Sequence, residues 1–169
     1  MTVLIVVESC FGNTLAVARA IASGLRRSLG PDTVTVVRPA EAPLDIPAGT
    51  GLLLVGAPTH DYSLPKEQTR GQAARKGAAV DDGIGVREWI ARVAPRADLR
   101  TVTFDTSLEM RFSLGSASKS ACKALKKRGF RNAERGVSFR VAGTTGPLAD
   151  DAESRAEAWG TELAASLSA

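Results

Sequence analysis

Val3-Leu4-Ile5-Val6-Val7 and, one residue later, Ser9-Cys10-Phe11-Gly12-Asn13-Thr14 decide how the rest of the chain is read. The first run is continuously apolar and mostly β-branched, the composition of a strand buried on both faces of a helix-covered parallel sheet. The second is small and polar and leads into Val17, Ile21 and Leu25, which recur every four residues with Ala18, Ala22 and Leu29 beside them. That spacing makes one broad apolar stripe on a helix, stopped by Gly30-Pro31. A strand, a short loop and a helix start thus follow one another. Free backbone N–H groups and the positive end of the helix dipole converge on the loop, a geometry that binds phosphate. Gly12 turns the backbone without a Cβ clash, and Ser9, Asn13 and Thr14 offer short polar groups. The plainer alternative is that Ser9 and Asn13 only cap the helix. The loop has neither the Gly-Lys-Ser/Thr ending of a nucleotide-hydrolysing P-loop nor the further glycines of a dinucleotide fingerprint.

Outward from this unit, Leu52-Leu-Leu-Val55 reads as a second strand buried on both faces. Val34 and Val36 alternate with threonines, and Val137, Phe139 and Val141 alternate with Ser138, Arg140 and Ala142, so these segments read as half-exposed edge strands. Thr101-Val-Thr-Phe104 supplies one more strand, before a turn-prone Asp105-Thr106-Ser107. Further helices are expected from Gly85 to Val93 ahead of Pro95, and from Ser116 to Gly129. A last one carries Ala152, Ala156, Trp159, Leu163 and Leu167, with Asp150 and Glu153 spaced as a capping box. Both tryptophans, Trp89 and Trp159, fall beside apolar stripes and read as packing residues. Residues 63–82 fit least well, being small, charged and interrupted by Pro65, Gly71 and Gly77, and predict a short irregular helix or a loop. The order of elements predicts a three-layer α/β sandwich with a five-stranded parallel sheet in the order 2-1-3-4-5.

At 169 residues, with 44% hydrophobic and 24% charged positions, the chain suits one domain spanning 1–169 with its own core. Its apolar runs are far shorter than the roughly 20 residues of a membrane span. Met1-Thr2 passes directly into the first strand with no leader pattern, so a cytoplasmic protein is expected. Two cysteines, Cys10 and Cys122, and a single histidine, His60, make neither a disulfide framework nor a typical zinc site. Reduced thiols and no metal are the expectation.

The loop pattern Ser9, Gly12, Thr14 after a buried strand resembles the phosphate loop of the flavodoxins, whose cofactor is FMN. Phe11 departs from the usual hydroxyl there, as in several flavodoxin-like domains of larger flavoproteins, which leaves only its amide for the phosphate. The resemblance implies that Ser9, Cys10, Phe11, Gly12, Asn13 and Thr14 hold the FMN phosphate. It further implies that Gly56-Ala-Pro-Thr-His-Asp-Tyr62 is the first flavin-ring loop. Pro58, Thr59 and His60 would line the ring edge through backbone groups, with Asp61 in the same loop, and Tyr62 or His60 would stack on its face. A bland reading of Tyr62 as cover for the core edge stands beside this. By position alone, Asp105, Thr106 and Ser107 are the expected pyrimidine contacts at the start of a second ring loop running to Arg111; an ordinary turn is the alternative.

A formal charge of +4 separates this chain from the acidic flavodoxins. Nearby cations favour a reduced, anionic flavin and so raise its potential, although salt screens charges beyond about 10 Å. Lys119, Lys123, Lys126, Lys127, Arg128, Arg131 and Arg135 gather around the third helical segment, opposed nearby by Glu134. They are either a solvated face or a dock for an acidic redox partner; without interleaved aromatics a nucleic-acid role is not expected. The function expected is electron transfer through FMN, with a redox partner protein or a small-molecule electron acceptor. An FMN-dependent quinone or NAD(P)H oxidoreductase and a flavin-free binding module are the alternatives. No side chain is assigned a catalytic role. His60 would be the base of any hydrolase, and no nucleophile-elbow pattern accompanies it.

Overall fold

The computed structural model describes residues 1–79, 83–108 and 115–168. The elements run β1 (Thr2–Val7), α1 (Asn13–Leu29), β2 (Val34–Val37), β3 (Thr50–Pro58), α2 (Glu67–Arg75), α3 (Val86–Arg92), β4 (Arg100–Leu108), α4 (Ala117–Arg128), β5 (Ala133–Val141) and α5 (Ala152–Ser168). All five strands are parallel and lie in the order β2-β1-β3-β4-β5, as the sequence predicts. Ile5 sits in register with Val36 on one side and Leu54 on the other.

Alternate residues of the central strands feed two cores, which is the period of two expected of a pleated strand. Leu4, Val6, Leu53 and Val55 pack under α3 and α4 against Trp89, Ile90, Ala121 and Leu125. Val3, Ile5, Leu52 and Leu54 pack under α1 and α5 against Ile21, Leu25, Ala156 and Leu163. Trp89 is buried in the first core, with its indole N–H donating to the carbonyl of Pro43. Trp159 packs on the second and meets Phe104 edge-on, ring centroids 6.3 Å apart. Both tryptophans therefore serve packing. Cys10 and Cys122 form no disulfide among the described residues, and no described helix is long and apolar enough to cross a membrane.

Several boundaries differ from the sequence reading, each for a local reason. β4 does not stop at Phe104 but continues to Leu108, because Asp105, Thr106 and Ser107 pair with Ser138, Phe139 and Arg140 of β5. The expected turn at Asp105-Thr106-Ser107 is thus strand; the rest of that expected loop, Glu109 to Arg111, lies outside the described residues. The expected capping position at Asp150, with Glu153, is one residue before the one the helix uses. The chain first turns through an Ala152 N–H to Ala149 carbonyl bond, and the first helical bond runs from Arg155 to Asp151, which makes Asp151 the residue before the helix. Within residues 63–82 the short helix of the two options is the one formed, as α2; residues 80–82 of that stretch lie outside the described residues.

α1 and α5 approach closely because two glycines face each other's backbones. A Cβ on Gly160 would land on the Ile21 carbonyl, and one on Gly24 would land on the Glu157 carbonyl. Gly160→Ala is therefore expected to force the two helices apart and cost about 2 kcal/mol. Gly49→Ala, where a Cβ meets nothing within 4 Å, should stay within about 0.5 kcal/mol of wild type. Urea unfolding midpoints check both; equal effects would contradict the packing account.

Candidate functional site

Four loops and one helix converge at the carboxyl ends of β1, β3, β4 and β5, at the point where the strand order reverses. The loop after β1 ends on Gly12, whose φ of 87° lies in the left-handed region and whose α-carbon faces open space. Helix α1 starts immediately after it. The Ser9 hydroxyl accepts the Leu15 N–H at 3.2 Å, so Ser9 does cap the helix. Asn13 does not: its side-chain amide donates to the Thr145 carbonyl at 3.3 Å and so ties the β5–α5 loop to the phosphate-loop candidate. The backbone amides of Gly12, Asn13 and Thr14 are not engaged by any other described residue. Three donors at the positive end of a seventeen-residue helix thus have no acceptor among the described residues, the condition an anion site needs.

The loop after β3 closes on itself. His60 and Ser63 exchange both backbone hydrogen bonds, at 3.0 and 2.9 Å, around Asp61 and Tyr62, whose φ values are 47° and 60°. Two successive non-glycine residues in the left-handed region are costly, most of all for a bulky tyrosine, and such strain concentrates at ligand sites. Of the backbone groups expected at the ring edge, the amides of Thr59 and His60 are already used within the protein. The His60 amide is used inside the turn, and the Thr59 amide donates to the Thr106 carbonyl at 2.8 Å. The Thr59 hydroxyl also accepts the first amide of α4, from Ala117, at 3.0 Å. At the turn's tip Tyr62 is 44% exposed. His60 is half-buried, and burial pushes its imidazole below the usual range despite Asp61 beside it, so it is neutral at physiological pH.

At the end of β4 the three expected contacts separate. The Thr106 hydroxyl shares a 2.7 Å hydrogen bond with Thr14, which pins the first loop to the sheet. Ser107 accepts from the Arg140 guanidinium at 3.4 Å, and Arg140 also donates to the Leu108 carbonyl at 3.1 Å. Asp105 instead points to the other face, fully buried, with Oδ2 accepting the Ser118 N–H at 2.8 Å. A carboxylate at the N-terminal turn of α4 is favourably placed there. Asp105 is thus a positioning group for α4 and does not line the cavity.

Helix α2, within the stretch read as a short helix or a loop, forms one wall of the site. Thr69, Gln72, Ala73 and Lys76, spaced as one helical face, line the same cavity as Ser9, Cys10, Phe11, Asn13 and Thr14. Its neighbouring face carries Arg70, which bonds Glu8 at 3.3 Å and Glu88 at 2.8 Å. Glu8 is 3% exposed, directly precedes Ser9, and accepts the Val86 N–H at 2.8 Å. This cluster ties α2 and α3 to the end of β1. Arg87 adds to it by donating to the Leu64 and Pro65 carbonyls on the approach to α2, at 2.8 and 3.2 Å.

Together these elements enclose a cavity of about 440 Å³. Pro58, Thr59, His60, Asp61, Tyr62, Thr106 and Ser107 line it with the first loop, and Leu108, Gly115, Arg140, Val141 and Thr144 complete it. Its size is that of a small-molecule or cofactor pocket. No family model and no curated protein matches the chain. Solved structures do. A flavodoxin from the Archaea aligns over the whole of both chains at 16% identity with a TM-score of 0.66. The Megasphaera elsdenii flavodoxin in its two-electron reduced form aligns over 97% of this chain and 99% of its own, at 19% identity and a TM-score of 0.63. The chain has a flavodoxin-like fold. The same fold spans 36% of rubredoxin:oxygen oxidoreductase from Desulfovibrio gigas, which matches 99% of this chain at 16% identity with a TM-score of 0.61.

Within this flavodoxin-like fold, sequence reasoning missed the α2 face, Arg140, Thr144 and the Glu8–Arg70–Glu88 cluster. A conspicuous signal existed for one of them: Glu8 is a charged residue directly continuing a buried strand, and such a group needs a partner. Burial pushes its carboxyl above the ordinary range, against the Val86 N–H and Arg70, which pull it down. A raised carboxyl favours the fold while neutral; that contribution is complete below the ordinary carboxyl range and is lost as pH rises through the raised value. At neutral pH Arg70 offsets the ionised form. Arg70→Met is therefore expected to cost about 3 kcal/mol near pH 7 and clearly less at a mildly acid pH, because the raised carboxyl of Glu8 takes up a proton as the pH falls. Urea unfolding at the two pH values checks this; an equal loss at both would mean that Glu8 is not the charge left uncompensated.

Proposed function

We propose that the chain binds FMN, with the phosphate on Ser9–Thr14 and the flavin ring in the cavity, and that it acts in electron transfer as one domain. The observation that carries this reading is the set of unengaged amides of Gly12, Asn13 and Thr14 at the positive end of α1, opening into a cavity of about 440 Å³. The donor set fits a phosphate monoester: neutral amides from three successive residues, the hydroxyls of Ser9 and Thr14 beside them, and no Cβ at Gly12 to block approach. The likeness to flavodoxins supports the same cofactor through the fold.

Bound FMN supplies the electron-accepting chemistry; the protein binds, orients and tunes it. Tyr62, held at the cavity mouth by its strained turn, covers one side of the ring space and limits water there. Neutral His60 offers a hydrogen-bonding edge without adding charge. Lys76 on α2 and Arg140 on β5 both line the cavity, so negative charge on a ligand meets cations from two elements. The α2 wall also favours a second reading, an oxidoreductase whose small quinone or nicotinamide substrate enters between α2 and the ring. An open carrier edge needs no such wall.

Titration of the stripped protein with FMN, followed by flavin absorbance and fluorescence, tests the proposal, with riboflavin as the phosphate-free control. Saturable FMN binding in the submicromolar range with riboflavin at least about tenfold weaker is expected, a difference of ~1.4 kcal/mol from the phosphate. No binding at high micromolar FMN would leave a flavin-free module as the better account. Lys76→Gln should weaken FMN about tenfold and leave riboflavin unchanged if the α2 wall reaches the phosphate.

A further inference from the structure

We propose that the exposed lysine face of α4, which begins at the cavity mouth, is the docking surface for an acidic electron-transfer protein. This rests on the electron-transfer reading above and names the kind of partner and the place where it binds.

The positive charge of the chain is unevenly balanced. Part of the surface cation charge is neutralised where it stands, as in Arg27–Glu157, Arg38–Glu41, Arg96–Asp98 and Arg155–Asp151, while single exposed cations such as Arg19, Lys66 and Arg92 enter no ion pair with a described residue. The lysines of α4 differ in being gathered on one helix. Lys119, Lys123, Lys126 and Lys127 are all exposed, and none enters an ion pair with a described residue. The nearby acid, Glu134, is already held by Arg100 at 3.2 Å. Their spacing places them on the solvent side of the helix, opposite the buried Ala121, Cys122 and Leu125, as a stripe about 12 Å long.

That stripe starts where a ligand in the cavity would be reached. The first amide of α4 is held by Thr59, the Ser120 hydroxyl meets Ser63 at 3.0 Å, and Gly115 lines the cavity against the Tyr62 backbone. Four large hydrophobic side chains are exposed among the described residues, and two of them, Tyr62 and Leu108, line this mouth. A small apolar centre with unpaired charge of one sign beside it is the anatomy of an encounter surface: the apolar contact fixes the complex and the charge steers the approach. Charge complementarity then selects an acidic partner. A nucleic acid is disfavoured because α4 carries no aromatic residue and Phe130 beyond it is fully buried, so no ring stands among the lysines to stack on a base.

The test is an NMR titration of the ¹⁵N-labelled chain, before and after addition of FMN, with an unlabelled acidic [2Fe–2S] ferredoxin as probe. Shift changes are expected to cluster on Lys119, Lys123, Lys126, Lys127 and Tyr62, with affinity falling about tenfold between about 50 and about 300 mM salt. Lys119→Glu with Lys123→Glu should abolish binding, and the paired glutamine substitutions should weaken it by an intermediate factor. Arg19→Glu with Arg27→Glu makes the same change in net charge on the opposite side of the sheet and should leave most of the affinity. Shifts on another face, equal losses in the two charge-reversed variants, no ferredoxin binding, or tighter binding of a duplex oligonucleotide to α4 would each overturn the proposal. Flavin absorbance in the same samples reports cofactor uptake separately. A chain that takes up no FMN loses the electron-transfer reading, while the shift map still decides whether α4 receives an acidic protein.

Discussion

A parallel sheet buried on both faces allows no tight hairpins, because each strand must begin again at the same end as the last. Three of the four connections therefore cross back through helices, residues 38–49 return from β2 to β3 without one, and the loops that leave β1, β3, β4 and β5 gather at one end of the sheet. The cavity follows from this constraint. Ser9–Thr14, the 59–63 turn, Ser107 and Thr144 are far apart in the chain and share one wall because their strands are neighbours in register. The apolar character of β1 and β3 is thus the cause of the fold and, through topology, of the site.

A second constraint is electrostatic and local. Glu8 ends the most buried strand with a carboxylate that water cannot reach, and burying a charge without a partner is costly. Arg70 meets that need and brings α2 with it; Glu88 and the Val86 amide bring α3. The helix so held turns the face containing Gln72 and Lys76 toward the loop that follows Glu8. One buried ionic cluster thereby couples the shape of the cavity to the loop that would grip a phosphate. Asp105 acts on α4 by a single contact, its buried Oδ2 accepting the Ser118 N–H, which sets the start of that helix and so the position of the lysines on its outer side.

How much of this was legible in the chain depended on whether the signal was local. The period of two in the strands, the four-residue apolar spacing of α1 and the stop at Gly30-Pro31 each report a property of a few consecutive residues. All three elements form as read. The capping serine at 116 and the glycine at 129 likewise bound α4, with the Ser116 hydroxyl accepting the Lys119 N–H and Gly129 in the left-handed region. Asp105-Thr106-Ser107 misled because small polar residues favour turns in isolation, whereas here they pair with β5 and bond to Thr14, Ser118 and Arg140. Residues 67–76 were obscure for the opposite reason. α2 has little apolar face of its own and is held by an ion cluster whose partners lie 62 and 18 positions away in the chain.

The sequence by itself determined the sheet, its order and the loop that opens α1, because burial pattern, helix spacing and turn chemistry are written in neighbouring residues. Only the tertiary structure decided which loop amides stay unengaged, that Asp105 turns away from the cavity, and that α2 and Arg140 wall it. Those outcomes are settled by contacts between distant segments, where the partner that satisfies a buried charge or an open amide is fixed by strand register and crossover packing rather than by the residues on either side.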